Sequence, residues 1–408
     1  MIVGFKFQVS SFLIMQISNR IQAVCESGSL KMAARCQEMR KAGVDVVSMT
    51  LGEPDFAAPD HIKQAAKDAV DNNFSHYGPV PGFLSLREAI ASRLNGRYAA
   101  NEIMVSTGAK QAIYNAIMVT INKGDEVVIP TPCWVSYMEI VKLAEGIPVT
   151  VPTSAETNWK VTADQLRAAL NERSRMVMLC SPNNPTGSVY SRAELTALVE
   201  VLKDFPEVYI LSDEIYQHIH YTPDVVSLAD FDAIRERLIL INGISKAYAM
   251  TGYRIGWMAT KSRELWQAYN RLQGQSTTCA CTVAQKAAEV AYQAPQDCVE
   301  QMRQAFEKRR DLIMSLVSEL PEVTCTKPDG AFYVFPDVSA YYPRLAHRLG
   351  IVSAGSREMT EYLLNEAHVA CVAGDDFGED RCIRLSYATD EATIREAIKR
   401  IYNALRAL

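Results

Sequence analysis

Asn242-Gly-Ile-Ser-Lys-Ala-Tyr-Ala-Met-Thr-Gly-Tyr-Arg-Ile-Gly-Trp257 follows directly on the apolar run Arg237-Leu-Ile-Leu-Ile-Asn242. Such a run reads as a buried strand. Lys246 then sits among small residues just past the strand's carboxyl end, with Arg254 eight residues on. Open α/β sheets bind their ligands at that end of the strands. A lysine there can form a Schiff base when its surroundings lower its pKa towards neutrality. An arginine nearby can hold a phosphate as a bidentate fork. The pair suggests pyridoxal phosphate. A surface loop with ordinary basic residues is the competing reading, and only residues elsewhere in the chain decide between them.

Upstream, Ile103-Met-Val-Ser-Thr-Gly-Ala-Lys-Gln-Ala-Ile-Tyr-Asn115 reads as a short strand turning through Gly108 into an apolar-periodic helix that runs to Ile121. The free N–H groups at such a helix start bind anions, although an ordinary βα turn explains the glycine equally well. Strand Glu126–Ile129 leads to Pro130-Thr-Pro-Cys-Trp-Val-Ser-Tyr137, where Trp134 either stacks on a flat ring or joins the core. Strands then alternate with helices: Ile147–Val151, Ala163–Leu170, Arg175–Leu179, Arg192–Lys203 and Val208–Leu211. That rhythm predicts βαβ units and a mostly parallel sheet. Two strands end in polar loops, Met178-Leu-Cys-Ser-Pro-Asn-Asn-Pro-Thr-Gly187 and Ser212-Asp-Glu-Ile-Tyr216. Asp213 and Tyr216 read alternatively as a helix N-cap and a packing residue.

Beyond Trp257 the chain reads as mainly helical, then as a mixed tail with strands at Ala331–Phe335, Val369–Val372 and Cys382–Tyr387. Arg384 alternates with apolar neighbours, and an exposed edge arginine is its plain reading. Near the start, helix Leu30–Ala42 stops at Gly43, and Val44–Met49 reads as a strand before Leu51-Gly-Glu-Pro-Asp-Phe56.

The whole chain bounds the function. Its 408 residues suffice for two domains and a large core. Hydrophobic residues make up 48% and charged ones 22%, as in a globular enzyme. A net charge of −5 argues against nucleic acid as a partner. Ten cysteines without a CxxC pair suit reduced thiols in the cytosol. His218 and His220 share a face but lack a third ligand, so no metal is expected. Residues 1–14 are apolar but too short and broken to span a bilayer. They read as an extension or a misplaced start, and no membrane partner is expected.

The lysine segment, the Asn-Pro-Thr-Gly loop, Ser-Asp-Glu-Ile-Tyr and Arg384-Leu-Ser-Tyr-Ala388 together resemble, in this order of roles, the fold-type I, class I aminotransferases. The resemblance runs from about Gln16 to the C-terminus and is strongest to the bacterial aspartate aminotransferases with Gly-Glu-Pro-Asp-Phe near the start. It implies a pyridoxal-phosphate transferase fold: α/β, with a mostly parallel central sheet and flanking helices in a large domain (57–300), a smaller α+β domain (301–408), and an N-terminal arm (15–56) joining the small domain.

The resemblance also implies roles. Lys246 would carry the pyridoxal phosphate and then shuttle the substrate proton. Asp213 would pair with the pyridine nitrogen. Tyr216 and Asn184 would hydrogen-bond the phenolic oxygen, and Trp134 would stack on the ring. Gly108, Ala109, Lys110, Ser245 and Arg254 would hold the phosphate, with Tyr77 reaching over from a neighbouring subunit of a homodimer. Arg384 would clamp the substrate α-carboxylate beside the Gly52 backbone, and Lys110 would meet a distal carboxylate. Transamination between aspartate and 2-oxoglutarate is the implied reaction in the cytoplasm. Prephenate or aromatic donors are the alternative substrates, and C–S lyase or cyclopropane-carboxylate synthase chemistry the alternative reactions on the same fold. A non-catalytic sensor domain of a regulator would need a DNA-binding module upstream. One departure is Gly243, where some relatives carry a phosphate-binding serine.

Overall fold

The computed structural model describes residues 17–408 apart from 27 and 224, so the reading of residues 1–14 lies outside the described residues. The strands in chain order are β1 (Val47–Ser48), β2 (Ile103–Ser106), β3 (Glu126–Thr131), β4 (Ile147–Pro152), β5 (Ser174–Cys180) and β6 (Tyr209–Asp213). They continue as β7 (Leu238–Gly243), β8 (Gly256–Ala259), β9 (Tyr333–Val334), β10 (Val369–Ala370), β11 (Val372–Ala373) and β12 (Ile383–Ser386). Seven of them form one sheet in the order β2-β8-β7-β6-β5-β3-β4. All its pairings are parallel except those of β8, which runs antiparallel to both β2 and β7.

The parallel strands are apolar on both faces because helices cover both faces. Val128, Val177, Ile210 and Leu240 pack into one core cluster. Their strand neighbours Val127, Met178, Leu211 and Ile241 pack into another on the opposite face. This is the two-residue alternation of a strand sandwiched between helical layers. Local signals set the covering helices. Ser191 and Glu194 cap each other at the start of Arg192–Lys203, and Thr162 and Gln165 do so for Ala163–Ala169.

A three-stranded antiparallel sheet, β11-β12-β9, lies in the C-terminal part, and the parallel pair β1-β10 ties residues 47–48 to it. Their core joins Met49 to Phe306, Phe332, Tyr333, Leu385 and Ile398. The fold is thus the expected one, a mostly parallel α/β sheet with a smaller α+β unit.

Several local readings need correction. Beyond Trp257 the chain is mainly helical as expected, with helices Arg263–Ser276, Thr282–Gln293 and Asp297–Val317. The strand Gly256–Ala259, which pairs with β7 and buries Trp257, is absent from the sequence reading. The expected strand Val44–Met49 shortens to Val47–Ser48, and Val369–Val372 divides into two short strands that pair in different sheets. Helices at Ser136–Leu143 and Tyr342–Leu349 were not expected. Both begin among aromatic and proline residues that obscure a helical period. Arg384 is no edge residue: β12 is the central strand of its sheet.

Candidate active site

The antiparallel return of β8 explains the decisive stretch. β7 ends at Gly243, the loop carries Lys246, and Arg254 precedes the strand that comes back beside β7. Both basic residues therefore line one cavity, of about 440 Å³, at the carboxyl ends of β5, β6 and β7. A Cβ on Gly243 would come within 2.8 Å of Gly256 Cα, so the β7–β8 contact leaves no room for a serine side chain here.

Asp213 is the last residue of β6 rather than a helix cap. Tyr137 Oη donates to its Oδ2 at 2.7 Å, and the Ile215 N–H donates to Oδ1 at 3.1 Å. Burial raises its pKa, against those two hydrogen bonds and the charge of Lys246. Tyr216 follows, buried, with its hydroxyl 2.8 Å from that of Tyr333. Lys246 donates from Nζ to the Gly52 carbonyl. Burial lowers its pKa to about 8, with Glu53 at the cavity mouth opposing that shift and Arg384 and Arg254 adding to it.

The wall beside Lys246 is a helix start. Gly108 caps the Ala109–Thr120 helix with φ +81°, a left-handed conformation that favours glycine. A Cβ there would run into the guanidinium of Arg254. Gly256 is equally constrained, since a Cβ on it would meet the Ala109 amide. The free amides of that helix, Ser245 and Arg254 thus converge on one corner, the arrangement that binds a phosphate. Arg254 is held by its own Nη1 donating to the Thr251 carbonyl at 2.8 Å.

Lys110, one residue into the helix, places Nζ 4.7 Å from the centre of the Trp134 ring. Partial burial first, and the charge of Arg254 second, lower its pKa. Trp134 meets Tyr137 edge to face at 5.4 Å, which leaves the tryptophan on the cavity wall instead of in the core.

Arg384 enters from the smaller unit and is 3% exposed. Nη1 donates to Asn184 Oδ1 at 2.9 Å and Nη2 to the Thr50 carbonyl at 2.8 Å. Its Nε has no partner, and no carboxylate pairs with it among the described residues. A buried cation held only by neutral acceptors is suited to receive an anion.

The model of the aminotransferase class I and II family matches residues 44–401. The chain belongs to that family. It is 42% identical to an aspartate/prephenate aminotransferase of Cereibacter sphaeroides, over 94% of this chain and 97% of that one. To an aspartate aminotransferase of Rhizobium meliloti it is 40% identical, over 95% of each. Among solved structures, the Rhizobium meliloti aspartate aminotransferase superposes with a TM-score of 0.90 at 38% identity, covering 96% of this chain and 99% of that one. The aspartate aminotransferase of Thermus thermophilus solved with maleate does so with 0.89 at 36%, covering 96% and 100%.

In this aminotransferase the cavity gathers Gly52, Ala109, Lys110, Trp134, Asn184, Asp213, Tyr216, Ser245, Lys246, Arg254 and Arg384, with Gly108 just behind the wall. Tyr77 stands apart: it is 90% exposed and lines no part of the cavity in the single chain. Sequence reading passed over Tyr137, Tyr333 and Glu53. Tyr137 could have been found from its place three residues after Trp134 in a loop already singled out. Tyr333 lies in an apolar strand where nothing sets it apart from a core aromatic.

Proposed function

We propose that this aminotransferase exchanges the amino group of aspartate with 2-oxoglutarate, using pyridoxal phosphate. The buried, uncompensated guanidinium of Arg384 carries the reading, because it sits in one cavity with Lys246 and a helix start built for an anion. The residues fit the cofactor. The carboxylate of Asp213, disfavoured by burial, would be stabilised by a ring N–H⁺, and the Gly108–Arg254 corner would suit the cofactor's phosphate. Trp134 offers a stacking face, and Tyr216 and Asn184 offer polar groups.

When bound, the cofactor supplies an electron sink for the carbanion at substrate Cα. Asp213 holds the proton on the ring nitrogen. Arg384 orients the substrate by its α-carboxylate, and Lys246 Nζ takes the Cα proton. Burial lowers the Lys246 pKa to about 8, the direction that favours the neutral amine a general base needs. Lys110 is assigned the distal carboxylate of an acidic substrate. That the Thermus thermophilus relative was solved with maleate, a dicarboxylate, supports this class. Prephenate is the second reading, favoured by the aspartate/prephenate relatives and by its own distal carboxylate.

The exposure of Tyr77 fits a homodimer in which it completes the neighbouring site. The pairing of β1 with β10, and the packing of Cys36 and Val46 against Leu364 and Ala370, support an arm (15–56) that joins the small domain (301–408) beside a large one (57–300). Unpaired cysteines fit a cytoplasmic setting, and no helix among the described residues is long and apolar enough to cross a membrane. The test is a screen of half-reactions. Enzyme mixed with single amino acids should lose the visible absorbance of bound cofactor fastest with aspartate or glutamate. Release of pyruvate and thiol from cystathionine without amino transfer would point to a lyase instead.

A further inference from the structure

A chain of contacts runs from the substrate side of the cavity to its cofactor side through a residue with no role assigned above. Tyr333 is fully buried. Its ring centre lies 4.5 Å from the guanidinium carbon of Arg384, and its hydroxyl lies 2.8 Å from that of Tyr216. Strand register fixes this placement, because β9 pairs with β12 and sets Tyr333 opposite Ser386, two residues from Arg384. Gly52 approaches the same hydroxyl from the other side: a Cβ on it would stand 3.4 Å away.

We propose that Tyr333 is a positioning residue that aims the Tyr216 hydroxyl into the cavity and couples that aim to occupancy of the Arg384 carboxylate site. Each phenol has one proton. The Tyr216–Tyr333 bond therefore uses either the proton of Tyr216, leaving its oxygen as an acceptor towards the cavity, or that of Tyr333, freeing Tyr216 to donate there. The cation over the ring of Tyr333 decides between them. It draws electron density from the phenol and makes its O–H the stronger donor. Tyr333 thus donates, and Tyr216 keeps its own proton for a phenolic oxygen in the cavity. A carboxylate that neutralises Arg384 weakens the polarisation and with it the donation.

The inference rests on the proposed cofactor reading and is tested on the holoenzyme by spectroscopy. Tyr333→Phe keeps the ring, its packing and the cation contact, and removes only the hydroxyl. A hydrogen bond to a phenolate oxygen favours loss of the proton on the neighbouring Lys246 nitrogen. Weakening it should raise the pH at which the visible absorbance changes, by about half a unit or more, the size of one neutral hydrogen bond. Tyr216→Phe should raise it further, and the double variant should match Tyr216→Phe alone, since Tyr333 acts through Tyr216. Succinate, a non-reacting dicarboxylate, should shift the titration of Tyr333→Phe less than that of the unmodified protein. An unchanged titration in Tyr333→Phe, or fully additive shifts in the double variant, overturns the proposal. Absence of any cofactor absorbance in the unmodified protein overturns the cofactor reading instead, and this inference with it.

Discussion

Arg384 donates to the side-chain oxygen of Asn184 at 2.9 Å, joining the central strand of the small sheet to the loop after β5 across 200 residues of sequence. Asn184 is neutral and leaves the charge of Arg384 unbalanced, so the guanidinium remains open to an anion. Arg384→Ala should lower kcat/KM for aspartate at least ~100-fold, since two charge-assisted hydrogen bonds of about 1.5–3 kcal/mol each are lost. Arg384→Lys keeps the charge without the fork and should recover only part of it. Steady-state kinetics decide; a loss below tenfold would move the carboxylate site elsewhere.

The phosphate corner makes a prediction that needs no substrate. Gly108→Ala forces a side chain towards Arg254 at a left-handed backbone position, and Gly256→Ala forces one into the Ala109 amide. Each should weaken cofactor retention in equilibrium dialysis and lower stability by about 1–3 kcal/mol. Gly124→Ala, also at positive φ but with nothing within 4 Å, should share the strain and spare cofactor retention. Equal retention across all three would remove the corner from the binding site.

What could be read from residues alone follows physical lines. The strand ends that carry Lys246, Asp213 and Asn184 were legible, because apolar strands there give way to polar loops at the ligand-binding end of a sheet, while the roles of Asp213 and Asn184 rest on the family resemblance. Their convergence depends on β8 returning antiparallel beside β7, and the strand is short and carries Trp257 and Met258 with no alternation to reveal it. Arg384 looked like an edge residue because its burial comes from β11 and β9 on either side, a pairing between distant segments. Tyr333 was illegible for the opposite reason: its polar tip counts only because Tyr216 lies opposite, 117 residues away.

Glu214, beside Asp213, gives a pH dependence independent of catalysis. Burial raises its pKa to about 7 against donors from Ser212, Ser227 and the Leu228 amide. A folded-state pKa above the unfolded value means that the folded protein binds more protons between pH 4.5 and about 7. The group's contribution is therefore complete below that window and is lost as pH rises through it, by on the order of 3 kcal/mol. Urea unfolding should show the stability of Glu214→Gln gaining on that of the unmodified protein between pH 5 and pH 8. Parallel pH profiles would mean that Glu214 is ionised in the fold throughout.

Sharing of sites is testable by mixing. Tyr77→Phe weakens one contribution and Lys246→Ala abolishes another. In a hybrid dimer one site would have both residues intact. Refolded together in equal amounts, the pair should recover roughly a quarter of full activity, since half the dimers are hybrid with one good site each. Additive residual activities, or a fully active monomer in sedimentation at assay concentration, would contradict the shared site.

Substrate class turns on Lys110. Its ammonium has no acidic partner among the described residues, lies over Trp134 in the same cavity as Arg384, and is lowered in pKa by partial burial and by Arg254. An acidic side chain entering the cavity would relieve both effects, because it supplies the missing anion and offsets the neighbouring cation. Lys110→Ala should therefore raise KM for aspartate and 2-oxoglutarate by tenfold or more, taking about 1.4 kcal/mol as the least a desolvated ion pair contributes. Turnover of alanine and phenylalanine should change little, since neither carries a distal carboxylate. Prephenate, which does, should suffer with aspartate. Cofactor affinity, measured in parallel, separates the remaining possibility: if acidic and neutral donors lose equally and the cofactor dissociates more readily, Lys110 serves the phosphate corner and the distal carboxylate is met by another group.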